Sequence, residues 1–139
     1  MQEIGVHSFE TEGLKRVYDN GSWFIGIKNY KPANDIVNLD CLEKHNLTDE
    51  IFVLLAGGCV LLTAEKTAEG LAFKALSMEP GKVYVIPKGL WHTTVTAKDS
   101  KLILAEASNT SDKNSDILKL SKDDSASGVK AVRSAGWKH

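Results

Sequence analysis

The stretch Gly81-Lys-Val-Tyr-Val-Ile-Pro87-Lys-Gly89-Leu-Trp-His92 says more about structure than any other part of the sequence. Residues 83–86 are β-branched or aromatic, which favours a strand. Pro87 and Gly89 end that strand with a tight turn, and the next strand opens at Trp91 and His92. His92 is therefore predicted at a strand start beside a turn, where the sheet fixes the side chain and the turn leaves the imidazole accessible.

The rest of the chain is typical of an all-β domain, because turn signals recur at short spacing and no convincing helical period appears. The expected strands are residues 14–18, 22–30, 50–55, 59–64, 71–78, 82–86, 92–96, 101–107 and, at a sheet edge, 117–120. The segment that carries Glu43 and His45 is predicted as a loop. Gly57-Gly58 suits a tight hairpin turn, because glycine tolerates positive φ. Eight or nine strands suit a double-sheet antiparallel β-barrel.

Composition predicts one small globular domain. The chain has 139 residues, of which 42% are hydrophobic and 25% charged. These values leave room for one core and are ordinary for a soluble protein. We expect residues 1–120 to form the barrel. Residues 121–139 are polar and small, and we expect a C-terminal tail that is flexible or packed on the barrel or on a partner.

The charge pattern argues against polyanionic partners. The formal net charge is −1, and the lysines form no block that would indicate binding to nucleic acid or to a membrane surface. The N-terminus lacks the features of a signal peptide, and no apolar run approaches the ~20 residues of a membrane span. We therefore expect a cytoplasmic protein, in which Cys41 and Cys59 are free thiols.

The spacing of the stretch that ends at His92 resembles the second characteristic motif of the cupin superfamily. That motif has a glycine, five residues, a proline, one residue, a glycine, two residues and a histidine, and the match runs without a gap from Gly81 to His92. The family pattern usually continues three residues further to an asparagine, whose place Thr96 takes here. The resemblance implies a jelly-roll barrel and makes His92 a metal ligand.

A second segment resembles the latter half of the family's first motif. His45-Asn-Leu-Thr-Asp-Glu50, six further residues and Gly57 keep the family spacing of histidine, glutamate and glycine. The first half departs from the pattern, since Glu43 replaces the first histidine of the pair and Val37 replaces the opening glycine. The resemblance thus implies His45, Glu50 and His92 as metal ligands, with Glu43 either a fourth ligand or a solvated loop carboxylate.

Strand alternation supports a bound cation at Glu50 independently of the family resemblance. Glu50 shares one face of its strand with Phe52 and Leu54, so if it points inward it lies between apolar walls. A buried, unpaired carboxylate costs several kcal/mol and requires a cation, a donor or a proton. Two histidines and a carboxylate form a ligand set that suits Fe and is equally compatible with Mn, Ni or Zn. The alternatives are a solvent-facing Glu50, an exposed loop His45 and a His92 that is hydrogen-bonded without any metal.

Three functional hypotheses follow. The first is a metal-dependent enzyme in which Glu43 or a bound water moves a proton, and the resemblance to small cupins implies an isomerase or a dioxygenase that acts on a sugar-like or organic-acid molecule. The second is a non-catalytic small-molecule binding module with a lost or altered metal site. The third is a barrel that serves only as a dimerisation unit. Nucleophile elbows, phosphate-binding glycine loops and Cys-x-x-Cys pairs do not occur in the sequence.

We also expect a homodimer. A barrel of this size leaves sheet edges that need covering, and small cupins resemble one another in pairing through such edges. The segment of residues 23–30 is the expected contributor, because it is long, apolar and early in the chain.

Overall fold

The computed structural model describes residues 2–139, which form ten strands and one helix. The strands are β1 (Leu14–Asp19), β2 (Trp23–Asn29), β3 (Cys41–His45), β4 (Glu50–Ala56), β5 (Cys59–Thr67), β6 (Gly70–Ser77), β7 (Val83–Ile86), β8 (Trp91–Thr96), β9 (Lys101–Ala107) and β10 (Ser115–Lys119). Two single 3₁₀ turns, Pro32–Asn34 and Ile36–Asn38, connect β2 to β3, and the helix α1 spans Lys122–Ser134.

The strands form two five-stranded antiparallel sheets. The first sheet has the order β1-β2-β9-β4-β7 and the second has the order β10-β3-β8-β5-β6. Within the described residues, no strand ladder joins the two sheets, so they form a jelly-roll sandwich of facing layers. The predicted all-β, double-sheet architecture is confirmed.

Two apolar clusters hold the layers together, one on each side of the second sheet. The first lies between the sheets and includes Phe24, Phe52 and Leu104. The second lies on the outer face of the second sheet and includes Leu62 of β5 and Val132 of α1. Burial of apolar area on both sides explains why β5 is hydrophobic along nearly its whole first half.

The helix α1 is a feature that the sequence interpretation missed. Ser121 caps its N-terminus by accepting a hydrogen bond from the Asp124 N–H, and two acidic residues in its first turn favour that end of the helix dipole. The helix packs against β5 and β6. At Gly128, an added Cβ would lie 3.0 Å from Leu39 and 3.3 Å from Leu62. The absence of a side chain at Gly128 therefore allows α1 to lie close to these two leucines. Within residues 2–139, no helix has the length and apolar character that a membrane crossing requires.

Three local expectations prove wrong. The segment with Glu43 and His45 is a strand, β3, which pairs with both β10 and β8. Gly57-Gly58 does not close a hairpin, because β4 and β5 lie in different sheets and the glycines carry the chain from one to the other. Residues 23–29 form an interior strand between β1 and β9, so they present no free sheet edge.

Candidate metal centre

Four side chains converge in the space between the sheets. Glu43 and His45 project from β3, Glu50 begins β4, and His92 lies near the start of β8. One potential ligand atom from each of these residues lies within 4.8 Å of the others. The structure thus brings together all four residues that the sequence interpretation selected.

Strand alternation places Glu50 inside the sandwich, as predicted. Glu50, Phe52 and Leu54 are all buried, while Leu55 on the opposite face is exposed. Antiparallel pairing with Ile86 of β7 fixes the strand at this point. The Glu50 carboxylate is therefore held away from bulk water and needs partners inside the protein.

The two imidazoles supply those partners, and His92 does so with a defined tautomer. His92 Nδ1 lies 2.9 Å from the carbonyl oxygen of Leu90, which can only accept a hydrogen bond, so Nδ1 carries a proton. His92 Nε2 lies 3.1 Å from Glu50 Oε1. In the neutral ring Nε2 is an acceptor that faces a second acceptor, so a cation or an added proton must lie between the two atoms.

His45 approaches the same oxygen of Glu50. Its Nδ1 lies 2.8 Å from the hydroxyl of Ser115, which can accept a hydrogen bond from the ring. Its Nε2 lies 3.5 Å from Glu50 Oε1. A ring whose second nitrogen is bonded to a protein oxygen is typical of metal-ligating histidines. The donor set therefore fits a divalent transition metal, which would supply the positive charge that the converging acceptors require.

The turn between β7 and β8 is hydrogen-bonded to the segments that carry the cluster. Gly89, with a φ of 81°, adopts a left-handed conformation that favours glycine. Its N–H donates to the carbonyl of His45 over 2.7 Å. The N–H of Lys88 donates to Asp49 Oδ1 over 2.9 Å. The turn that precedes His92 is thus bonded directly to the segments that carry His45 and Glu50.

Glu43 occupies a different environment from the other three residues. It lies opposite His92 in the β3–β8 pairing, and its side chain is 44% exposed. Its Oε1 lies 3.9 Å from Nε2 of both His45 and His92. Glu43 therefore faces the same point as the imidazoles while keeping contact with solvent.

Contacts among the clustered residues shift their pKa values. Burial by itself would raise the pKa of Glu50, but hydrogen bonds and positive charge from His45 and His92 outweigh it and lower the pKa to about 2. The hydrogen bond to Glu50 raises the pKa of His45 above its ordinary value. Without a metal, these contacts therefore favour the ionised carboxylate of Glu50 and the protonated form of His45.

Glu106 is a fifth member of the cluster that the sequence interpretation did not select. It lies on β9, is 9% exposed, and its Oε2 has no hydrogen-bond partner although it lies 3.4 Å from His45 Nε2. Burial and the nearby negative charge of Glu50 raise the pKa of Glu106 to about 7. A signal existed in the sequence, because Glu106 alternates in phase with the apolar Leu102 and Leu104 and so falls on the inward face.

The cluster lines a cavity of about 280 Å³. Its other lining residues include Lys28, Asn34, Phe52, Thr94 and Leu104. The cavity combines apolar walls with a few polar groups, which is typical of a small-molecule site.

The chain is similar to several solved structures. KdgF from Halomonas sp. is 17% identical, with a TM-score of 0.50 over 72% of this chain and 81% of that chain. Pac13 from Streptomyces, described as a nucleoside dehydratase, is 8% identical, with a TM-score of 0.55 over 81% and 83%. A cupin-2 domain protein from Shewanella frigidimarina is 18% identical, with a TM-score of 0.48 over 71% and 84%.

No protein-family model and no curated protein matches the sequence. The strand order of the two sheets, the motifs around His45 and His92 and the similarity to solved structures together confirm the predicted cupin fold. At these identities the similarity establishes the fold alone.

Proposed function

From a cupin fold with a buried glutamate and histidine cluster, we propose that this protein is a metal-dependent enzyme that acts on a small polar molecule. The observation that carries the proposal is the approach of His92 Nε2 to Glu50 Oε1 at 3.1 Å while His92 Nδ1–H is committed to a backbone carbonyl. Two acceptors held this closely and out of water need a cation or an added proton between them, and we assign that place to a metal ion.

His45, Glu50 and His92 would hold the ion, and Glu43 would complete the set. Two nitrogens and one or two carboxylate oxygens are compatible with Fe, Mn, Ni or Zn. When bound, such an ion supplies Lewis acidity that polarises a carbonyl or hydroxyl group of the substrate.

The remaining roles belong to the protein's own side chains. In a three-ligand centre Glu43 would not bind the ion, and its partly exposed carboxylate at the cavity would accept or return a proton. Glu106 lines the same cavity, and its buried Oε2, which has no partner among residues 2–139, would accept a hydrogen bond from a bound hydroxyl. Phe52 and Leu104 exclude water from one wall. This arrangement suits isomerase or oxygenase chemistry on a sugar-like or organic-acid molecule.

Metal content tests the proposal. Protein purified without chelator and analysed by inductively coupled plasma mass spectrometry is expected to hold about one transition-metal ion per chain. Less than about a tenth of an equivalent, even after incubation with each candidate metal, would overturn the enzyme assignment. That result would favour the non-catalytic binding module instead.

A further inference from the structure

Lys28 is a cation inside the cavity that has no anionic partner. It lies on β2 and lines the same cavity as Glu50 and His92. Within residues 2–139, its ammonium forms no ion pair with any carboxylate. Burial lowers the pKa of Lys28, with partial compensation from the charge of Glu50. Lys28 is only partly buried as a whole residue.

Folding alone does not account for a lysine at this place. Lys28 pairs across the β2–β9 ladder with Leu102, which is fully buried, and it alternates in phase with the buried Phe24. An apolar side chain would fill such an inward position at no electrostatic cost. A cation held here without a partner is better explained by an anion that enters the cavity.

Two residues that line the same cavity each carry a buried hydrogen-bonding atom without a partner among residues 2–139. Thr94 is 4% exposed, and its Oγ1 has no hydrogen-bond partner. Asn34 donates from Nδ2 to the carbonyl of Thr94 over 3.1 Å, which leaves its buried Oδ1 unpartnered. Both residues line the cavity together with Lys28. Buried polar atoms without partners are rare in folded proteins, and a ligand with hydroxyl groups would satisfy both.

We propose that the cavity binds a small hydroxy acid, whose carboxylate pairs with Lys28 and whose hydroxyl groups bond to Thr94 Oγ1 and Asn34 Oδ1. This inference deepens the proposed function by naming its substrate class. A singly charged anion fits better than phosphate, because Glu43, Glu50 and Glu106 line the same cavity and repel a second negative charge. A cavity of about 280 Å³ also limits the ligand to roughly the size of a six-carbon acid.

Calorimetric titration with matched acid and neutral compounds tests the proposal. The probes are gluconate against glucitol and galacturonate against galactose, with inorganic phosphate as the dianion. The wild-type protein is expected to bind at least one acid about tenfold more tightly than its neutral counterpart and more tightly than phosphate. Lys28→Met is expected to abolish that preference. Lys31→Met is the matched control, because Lys31 lines the same cavity but is exposed, and it is expected to keep the preference.

Thermal unfolding without ligand separates a binding role from a structural one. Because Lys28 has no anionic partner in the free protein, Lys28→Met is expected to unfold at the same temperature as the wild type or higher. A clearly lower midpoint would assign Lys28 to the fold and overturn the proposal. Four titration results would also overturn the proposal. The wild type could bind acids and neutral compounds equally, bind phosphate more tightly than the acids, or bind neither acid. The fourth is an acid preference that survives in Lys28→Met.

Metal analysis of the same samples distinguishes failure of this inference from failure of the proposed function. Lys28→Met is expected to hold as much metal as the wild type, since Lys28 is not among the converging ligands. A metal-free wild type that still prefers acids would overturn the enzyme assignment and leave the hydroxy-acid site standing. A metal-loaded wild type without acid preference would overturn the hydroxy-acid proposal and leave the enzyme assignment standing.

Discussion

Glu43 lies directly opposite His92 in the pairing of β3 with β8, and its Oε1 is 3.9 Å from His92 Nε2. Glu43 also stands two residues before His45, so strand alternation turns both side chains toward the same point. One position where the sequence departs from the cupin motif thus lies at the solvent-facing side of the cluster.

Glu43→His is expected to change the metal preference. A carboxylate adds negative charge to the centre, whereas an imidazole adds a neutral nitrogen that favours Ni, Cu or Zn. Competition among metals, followed by elemental analysis, is expected to show a shift toward these ions. Glu43→Ala is the companion variant and is expected to bind metal more weakly. If both variants match the parent in metal content, metal preference and ligand affinity, Glu43 is a solvated residue and the centre has three ligands.

His92→Ala is expected to remove most of the bound metal while leaving the fold intact. The apolar clusters on both sides of the second sheet provide the stability, and one imidazole adds little to them. Elemental analysis measures the metal, and circular dichroism with thermal unfolding measures the fold. His7→Ala serves as the control, because His7 is exposed near the N-terminus. Unfolding of His92→Ala at room temperature would contradict the prediction.

The metal-free protein is expected to lose stability as the pH rises from 5 to 8. The pKa of Glu106 is raised from an ordinary value of 4.5 to about 7 in the folded state, so the folded protein binds more protons than the unfolded chain between these values. The free energy of unfolding therefore falls with rising pH, by on the order of 1–3 kcal/mol.

Glu106→Gln supplies the control for that pH dependence, because the amide cannot ionise. Urea unfolding at several pH values is expected to show a smaller decrease in the variant than in the wild type. His45 contributes in the same direction, since its raised pKa gives stability that is lost as the pH rises through that value. An identical pH profile in wild type and Glu106→Gln would contradict the assignment to Glu106.

Homodimer formation stays a prediction, and the structure suggests a different surface for it. Leu55, Val83 and Val85 lie on the outer face of β4 and β7 with exposures of 52%, 65% and 53%. Sedimentation equilibrium is expected to give twice the 15.2 kDa of one chain. Val85→Asp is expected to shift the protein toward monomer, while Val37→Asp, at an exposed apolar site outside the sheets, is not. A single species of monomer mass in the wild type would refute the prediction.

Local pattern predicted most of the strands, and the resemblance to the cupin motifs predicted the convergence of His45, Glu50 and His92, with Glu43 as a candidate fourth ligand. The motif spacings give the position of each residue along its strand, and strand alternation gives the inward direction of Glu50. The β3 strand escaped detection because Cys41-Leu-Glu-Lys-His45 has weak β-propensity and is held in place by pairing with β10 and β8. Such pairing partners lie far away in the sequence, and local propensity cannot reveal them.

Two other features depended on tertiary context in the same way. The helix α1 contains Gly128 and many polar residues, so its helical pattern is weak, and its stability comes from docking on the second sheet. Glu106 followed the inward alternation of β9, but its contact with His45 needed the packing of one sheet on the other. The sequence could place Glu106 on a face and could not place it beside His45.

The hydrogen bond from the Gly89 N–H to the His45 carbonyl joins the β7–β8 turn to the end of β3, and the bond between His45 Nδ1 and Ser115 Oγ orients the ring. Conformational entropy at the centre is therefore lost when the chain folds and not when a ligand arrives. An ion that enters meets ligands already in position, so little of its binding free energy is consumed in ordering the protein. Exchange of the ion should then proceed through the mouth of the cavity while the sandwich stays folded.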